Sequence, residues 1–117
     1  MIRVAGIGFR HAATLTSLYD ALVRAGQCDA IATSHLKANA RIIQDLAQQL
    51  GLPLLGVDVR DITTPTRSPH VLRLYHTGSV SEAAALAALA PGGRIVVGRM
   101  TSSDHMATAA IAQGDLL

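Results

Sequence analysis

The sequence predicts an α/β fold, in the form of a single three-layer α/β/α domain over residues 1–117. We expect a mostly parallel sheet, with an antiparallel last strand as an alternative. Three observations support this prediction. Short apolar runs of strand length alternate with longer amphipathic segments, and Gly and Pro separate them. Half of the residues are hydrophobic and 15% are charged, which excludes intrinsic disorder. A length of 117 residues suits one domain.

The first strands and the first helix follow from the N-terminal residues. Ile2–Ile7 is an apolar run of strand length. Apolar residues then recur at helical spacing, at Leu15, Leu18, Tyr19, Leu22 and Val23. Gly26 is expected to end this helix, and Asp29–Thr33 is expected to form the second strand.

The second helix has one apolar face, formed by Ile42, Ile43, Leu46, Ala47 and Leu50. Asn39 is a plausible N-cap, and Gly51 follows the helix as a C-terminal cap. Leu54–Val57 predicts the third strand. Residues 58–69 contain two prolines and three threonines and predict a loop.

The C-terminal part continues the alternation. Val71–Tyr75 predicts a fourth strand, and the S-x-x-E spacing of Ser79–Glu82 predicts the start of a helix that a Pro-Gly-Gly sequence ends. Arg94–Val97 predicts a fifth strand, and residues 98–106 predict a polar loop. Ala107–Ala112 carries no charge and is expected to form a final strand, with a short helix as the alternative.

Composition and charge exclude several classes of function. No apolar run approaches the ~20 residues of a membrane span, and the N-terminus lacks the features of a signal peptide, so we expect a cytoplasmic protein without a membrane partner. The single Cys28 excludes a disulfide framework. The basic residues are nine arginines and one lysine, with no basic run and 3% aromatic residues, so nucleic acid is not an expected partner.

The histidines do not form a metal-binding pattern. The sequence has five of them, and no two form an H-x-x-x-H or H-E-x-x-H pair; they are His11, His35, His70, His76 and His105. We therefore expect no metal site and no cofactor.

A glycine motif follows the first predicted strand. Gly6 and Gly8, followed by Arg10 and His11, predict a glycine turn whose helix N-terminus could hold an anion. A dinucleotide fingerprint would need a third glycine where His11 stands and an acid where the second strand ends at Thr33-Ser34. On this evidence alone, a simple connection between strand and helix is equally consistent with the motif.

Three further polar segments follow predicted strands. Residues 33–37 contain Lys37, the only lysine, and the other segments are Thr77–Glu82 and Arg99–His105. Each has the composition of a solvated loop as well. If the strands are parallel, however, all of these segments emerge with the glycine motif at the carboxyl edge of the sheet, where open α/β folds bind ligands.

The only glutamate, Glu82, has two compatible interpretations. In the favoured one its side chain closes a capping box by reaching back to the Ser79 amide. In the other it assists catalysis, with Lys37 as the second catalytic candidate. The sequence identifies no catalytic residue beyond these two candidates.

Together these segments resemble the cobalamin-biosynthesis family that contains CobE and the C-terminal domain of CbiG. The glycine motif of that family is matched by Gly6, Gly8 and Arg10, and its T-x-x-x-K segment by Thr33 and Lys37. Its S-V-x-E-A-A-A helix start is matched by Ser79, Val80, Glu82, Ala83 and Ala84. Its closing A-T-x-A-I-A motif is matched by Ala107, Thr108, Ala110, Ile111 and Ala112.

This resemblance implies a role in cobalamin (vitamin B12) biosynthesis, in which the protein binds or carries a corrinoid (tetrapyrrole) or precorrin intermediate. Such intermediates carry acetate and propionate side chains, which suit arginines and helix N-termini. The alternatives are a hydrolase acting on a precorrin lactone and an accessory subunit of another cobalamin-biosynthesis enzyme. The expected ligand-binding residues are Gly6, Gly8, Arg10, His11, Thr33, Ser34, Lys37, Thr77, Gly78, Ser79, Glu82, Arg99, Thr101 and Ser102.

Overall fold

A five-stranded mixed sheet forms the centre of the molecule. The computed structural model describes residues 1–69, 71–72 and 77–117. The strands are β1 (Ile2–Phe9), β2 (Ala30–Ser34), β3 (Leu54–Val57), β4 (Arg94–Thr101) and β5 (Ala107–Gly114). The helices whose bounds lie within the described residues are α1 (Leu15–Ala25), α2 (Arg41–Leu50) and α3 (Val80–Ala87).

The strand order is β3-β2-β1-β5-β4. Strands β1, β2 and β3 are parallel, whereas β5 is antiparallel to both of its neighbours, β1 and β4. Two successive reversals mean that β4 runs in the same direction as β1. The carboxyl ends of β1, β2, β3 and β4 therefore lie at one edge of the sheet.

Two apolar clusters separate the three layers. Helices α1 and α2 cover one face, where Leu18, Ile43 and Leu46 pack against strand residues such as Ile7 and Ile111. Helix α3 covers the other face with small side chains, the alanines at 83–85, which pack against Val4, Ala30, Ala32 and Ala112. The three-layer α/β/α prediction is confirmed, as is the strand at the C-terminus, which is antiparallel.

Gly6 and Gly8 lie within β1 and not in a turn, so the predicted glycine turn is wrong. The strand continues to Phe9, with Gly6 paired to Ala110 and Gly8 to Thr108. Gly6 allows α3 to approach the sheet: a Cβ atom at this position would lie 1.8 Å from the Ser81 carbonyl oxygen. The chain turns after the strand, and α1 starts at its N-cap Thr14.

The remaining predicted element boundaries need three corrections. Ala40, which makes no side-chain cap, is the N-cap of α2, and Asn39 is not, because consecutive turns occupy the segment before it. The polar segment after Gly98 is still strand as far as Thr101, since its residues pair with β5.

The third correction concerns the predicted strand Val71–Tyr75. The Leu72 amide donates to the Ser68 carbonyl at 2.9 Å, which is the helical spacing, so residues 71 and 72 are not extended. Ser68 followed by Pro69 is a typical helix start, which explains the difference. Residues 73–75 lie outside the described part of the chain, as do His70 and His76.

Candidate functional site

A cleft of about 730 Å³ lies at the carboxyl edge of the sheet. It is bounded by the ends of β1, β2 and β4, the start of β5 and the N-terminus of α3. All four sequence segments expected at this edge contribute to it. Among the expected residues, those that line the cleft are Gly8, Arg10, His11, Thr33, Ser34, Lys37, Ser79, Arg99 and Thr101.

The end of β1 and the segment after β2 form one wall. Lys37 is half-buried, and its Nζ donates to the Phe9 carbonyl at 2.7 Å and lies 4.8 Å from the centroid of the Phe9 ring. Burial lowers the pKa of the Lys37 ammonium below its usual value of 10.5. Because an ammonium has three donors, it can still donate to a ligand while it holds Phe9.

Thr33 and Ser34 line the same wall from within the sheet. Both residues are buried, and the Thr33 hydroxyl donates to the Ile7 carbonyl at 2.8 Å. The Ser34 hydroxyl accepts from the Leu36 amide at 3.3 Å and its carbonyl from the Lys37 amide at 2.8 Å. These two residues thus shape the turn that places Lys37.

The turn between β4 and β5 forms the opposite wall and is ordered by Asp104. Its carboxylate accepts from the Ser102 and Ser17 hydroxyls and from the Met106 amide, and these bonds lower the pKa of Asp104 to about 2. His105, next in the chain, has a left-handed backbone with a φ of 60° and lines the cleft.

Five expected residues do not line the cleft, and all five are buried: Gly6, Thr77, Gly78, Glu82 and Ser102. Their contacts are internal. The Thr77 hydroxyl donates to the Ile62 carbonyl, and the Ser102 hydroxyl donates to Asp104 and accepts from the Ala107 amide. Ser102 thus stabilises the turn between β4 and β5, and Thr77 bonds to the loop that contains Ile62.

Only one of the two hydrogen bonds of the expected capping box forms at the start of α3. The Ser79 hydroxyl accepts from the Glu82 amide at 3.3 Å, as predicted. The Glu82 carboxylate does not return to the Ser79 amide; it accepts instead from Thr66 and from the Arg99 amide. Its partners lie on two other segments, which the local S-x-x-E spacing cannot reveal.

The formally charged side chains that line the cleft are all basic, and the Asp104 carboxylate beside it is bonded within the turn between β4 and β5. The lining of the cleft includes Arg10, Lys37, Arg99, His11 and His105 and contains no described Asp or Glu residue. The ion pairs between described side chains lie elsewhere: Arg24 with Asp20, Arg41 with Asp45, and Arg60 with Asp58. The cleft therefore presents cations without carboxylate partners, which is the arrangement an anionic ligand requires.

Several lining residues were not among those expected from the sequence. Phe9, Met106 and Val71 add apolar surface, and Ser68 and Thr108 add hydroxyls. Phe9 lies inside the predicted glycine motif but was not selected because its side chain is apolar, and Thr108 lies within the predicted last strand. His105 was in a segment already selected, and only its backbone conformation distinguishes it.

In the described part of the chain, no three His, Cys, Asp or Glu side chains are grouped closely enough to hold a metal ion. None of the described helices is both long enough and apolar enough to cross a bilayer.

Fold and site together define an α/β protein whose basic cleft, at the carboxyl edge of the sheet, is suited to anions. The chain belongs to the family described as Cobalamin synthesis G C-terminus, whose family model matches residues 3–112. The chain is thus a member of a cobalamin-biosynthesis protein family, as its motifs predicted.

Two solved structures are similar to the whole chain. One is CobE, a protein from the cobalamin (vitamin B12) biosynthetic pathway, with 26% identity and a TM-score of 0.78 over 95% of this chain and 89% of that chain. The other is the cobalamin biosynthesis protein chiG from Agrobacterium tumefaciens str. C58, with 31% identity and a TM-score of 0.70 over 96% and 98% of the two chains. A search of curated sequences found no match.

Proposed function

We propose that this protein binds or carries a corrinoid intermediate of cobalamin biosynthesis in the cleft. The observation that supports the proposal is the set of cations on three separate segments, Arg10, Lys37 and Arg99, in a cleft with no described carboxylate. A tetrapyrrole precursor carries several carboxylates around an apolar ring, so it can contact all three segments at once. A single phosphate offers no apolar ring to bury.

The energetics favour such a multiply charged, partly apolar ligand. Micromolar affinity needs ~8 kcal/mol. Three exposed ion pairs contribute ~1–3 kcal/mol in total and a helix N-terminus ~0.3–1 kcal/mol. Burial of about 200 Å² of the ring against apolar lining adds ~5 kcal/mol at ~25 cal/mol per Å². Phe9, Val71, Val80 and Met106 supply such lining.

A second candidate function is hydrolysis of a lactone on the same class of ligand. The observation that favours it is Lys37, a half-buried amine in the cleft whose pKa is lowered by burial. A lowered pKa increases the fraction of the amine that is unprotonated near neutral pH, and only that form can act as a general base.

Two parallel titrations separate the candidates. Purified protein is added to hydrogenobyrinic acid and, separately, to a lactone-containing precorrin, and the absorbance spectrum and the mass of the recovered ligand are measured in each. A carrier shifts the spectrum and leaves the mass unchanged, whereas a hydrolase changes the mass of a lactone-containing precursor. An unchanged spectrum and mass would contradict both functions and favour an accessory subunit.

A matched ligand tests the role of the carboxylates. The same macrocycle with its side-chain carboxylates converted to amides keeps the apolar ring and loses the negative charge. We expect it to bind at least about tenfold more weakly, since ion pairs and charge-assisted hydrogen bonds are lost. Equal affinity for the acid and the amide would contradict recognition by the cleft cations.

A further inference from the structure

Glu82 connects three elements of the cleft without lining it. The residue is completely buried, and its Oε1 accepts from the Thr66 amide at 2.9 Å and from the Thr66 hydroxyl at 2.7 Å. Its Oε2 accepts from the Arg99 amide at 3.0 Å. Because Glu82 itself lies in the first turn of α3, these bonds join the helix to the loop before it and to β4.

The Arg99 amide is available because β4 is irregular at this point. Val97 pairs with Ile111 and Met100 pairs with Ala109, so Gly98 and Arg99 together stand opposite a single residue of β5. This is a β-bulge, which adds one residue to one strand of an antiparallel pair. The bulged Arg99 amide donates to Glu82.

Relative to Val97, this bulge determines which way Arg99 faces; a separate irregularity of β4 lies between Ile95 and Val97. Ile111 and Ala109, the partners of Val97 and Met100, belong to the core under α1 and α2. In a regular strand Arg99 would share the face of Val97, since residues two apart point the same way. The extra residue places Arg99 on the opposite face, where α3 and Glu82 lie, and Arg99 lines the cleft there.

We infer that Glu82 is a positioning residue: it holds the bulge that turns Arg99 into the cleft and anchors the Thr66 loop on the other side of α3. The consequence for ligand affinity rests on the proposed binding function. A buried carboxylate with no cationic partner among the described residues is costly, and an apolar side chain would fill the same space more cheaply. Its three partners are all donors, and the two oxygens of a carboxylate accept from all of them.

Glu82→Gln is the variant that tests this inference. Glutamine has the same shape, but its NH₂ group can only donate. Whichever way the amide is oriented, its NH₂ group faces the backbone N–H of either Thr66 or Arg99, and two donors cannot form a hydrogen bond. The orientation that keeps the amide oxygen on the two Thr66 donors retains two of the three bonds and places the NH₂ group against the Arg99 amide. The variant therefore breaks the connection to β4 and leaves the volume of the core unchanged.

A double-mutant cycle with Arg99→Ala measures whether Glu82 acts through Arg99. Hydrogenobyrinic acid is titrated into the wild type, the two single variants and the double variant. We expect Glu82→Gln to weaken binding about tenfold in the wild type and at most about twofold in the Arg99→Ala background. Equal losses in both backgrounds, or no loss at all, would overturn the inference.

Ile43→Val is the matched control for stability, because Ile43 is fully buried in the core under α2, on the far side of the sheet from α3. It should shift the urea midpoint downward and leave the affinity for hydrogenobyrinic acid unchanged. If affinity followed the urea midpoint in both variants, Glu82 would have only a general structural role.

Amide hydrogen exchange tests the connection without any ligand. In the wild type the Arg99 amide should exchange slowly although it is not paired to β5, and Glu82→Gln should remove this protection. A wild-type Arg99 amide that exchanges as fast as an open loop would overturn the inference even if the variant failed to fold. If the wild type showed protection at Arg99 but did not bind hydrogenobyrinic acid, the proposed function would fail and the role of Glu82 at the bulge would stand.

Discussion

Lys37 is the only lysine of the chain, and its surroundings differ from those of an exposed surface lysine. Its ammonium is held by the Phe9 carbonyl and lies over the Phe9 ring, and no carboxylate of the described residues is bonded to it. Burial destabilises the charged form and so lowers the pKa of Lys37 below 10.5. A ligand carboxylate would offset this cost, which makes the position favourable for an anion.

Lys37→Met should weaken binding of hydrogenobyrinic acid, since methionine keeps the apolar stem and removes the charge. We expect a loss of about 1–2 kcal/mol, or about 5–30-fold in Kd, measured by absorbance titration near neutral pH. Arg24→Ala is the control, because Arg24 is an exposed cation paired with Asp20 outside the cleft. Equal losses in both variants would indicate a general charge effect.

The pH dependence of binding provides a second test of the role of Lys37. The lowered pKa means that Lys37 loses its proton before an ordinary lysine does as the pH rises toward 10.5. Wild-type affinity should therefore begin to fall at a pH where exposed lysines are still charged. The Lys37→Met variant should show no such fall, and a parallel fall would assign the titration to another group.

At the level of elements, the turn between β4 and β5 depends on the ionised form of Asp104. The carboxylate accepts hydrogen bonds from the Ser102 and Ser17 hydroxyls, and Ser17 belongs to the first turn of α1. The turn is thus fastened to a helix, which fixes the wall of the cleft that carries Thr101 and His105.

Asp104→Asn should remove part of the acid sensitivity of the fold. The pKa of Asp104 is about 2 in the folded protein, below its usual value of 3.8. Its stabilising effect is therefore complete above about pH 4 and is lost as the pH falls through about 2. Thermal midpoints recorded from pH 5 to pH 2 should fall less steeply in the variant. Asp58, also at about 2, is present in both proteins and cancels in the comparison.

The approach of α3 to β1 depends on Gly6. We expect Gly6→Ala to cost ~3 kcal/mol or more, because its Cβ would lie 1.8 Å from a backbone oxygen of α3 that cannot move alone. Gly8→Ala is the matched control two residues along the same strand, where the nearest atom is the Thr108 hydroxyl at 3.0 Å. Urea unfolding should show the larger loss for Gly6→Ala. Equal losses would contradict the packing argument.

The elements that the sequence predicts are those that local periodicity determines. The apolar spacing of α1 and α2 and the uncharged run of β5 are visible within a few residues. The glycines of β1 predict a turn when only neighbouring residues are considered. What requires a glycine there is the close packing of α3, which lies about 70 residues later in the chain. The bulge at Gly98 is equally invisible, since only the register with β5 defines it.

At the level of the whole molecule, topology assembles the site. Four segments that are far apart in sequence meet at the carboxyl edge of the sheet. Three of them follow strands that run in the direction of β1, and the fourth begins α3 at the same edge. The sequence allowed this to be predicted from the carboxyl-edge rule. It did not reveal that β4 reaches the edge through the antiparallel β5, nor which side chains complete the lining.

The local charge of the cleft differs from that of the molecule. The formal net charge is only +2, and three of the basic residues are paired with aspartates away from the cleft. The cleft is lined by three other basic residues, which come from three separate segments: Arg10, Lys37 and Arg99. Attraction of a polyanion therefore depends on where the cations lie more than on how many there are.

Binding of hydrogenobyrinic acid should weaken as salt rises. Ions screen exposed charges over ~10 Å at 0.1 M and ~3 Å at 1 M, so the ion pairs at the cleft lose ~1–2 of their ~1–3 kcal/mol between low and high salt. We expect Kd to rise about 5–30-fold, measured by absorbance titration. The Arg10→Ala/Arg99→Ala double variant should start with weaker affinity and show a shallower salt dependence, since two of the three cations are gone. An affinity that is the same at low and high salt would contradict recognition through exposed charge and leave burial of the ring as the main source of binding.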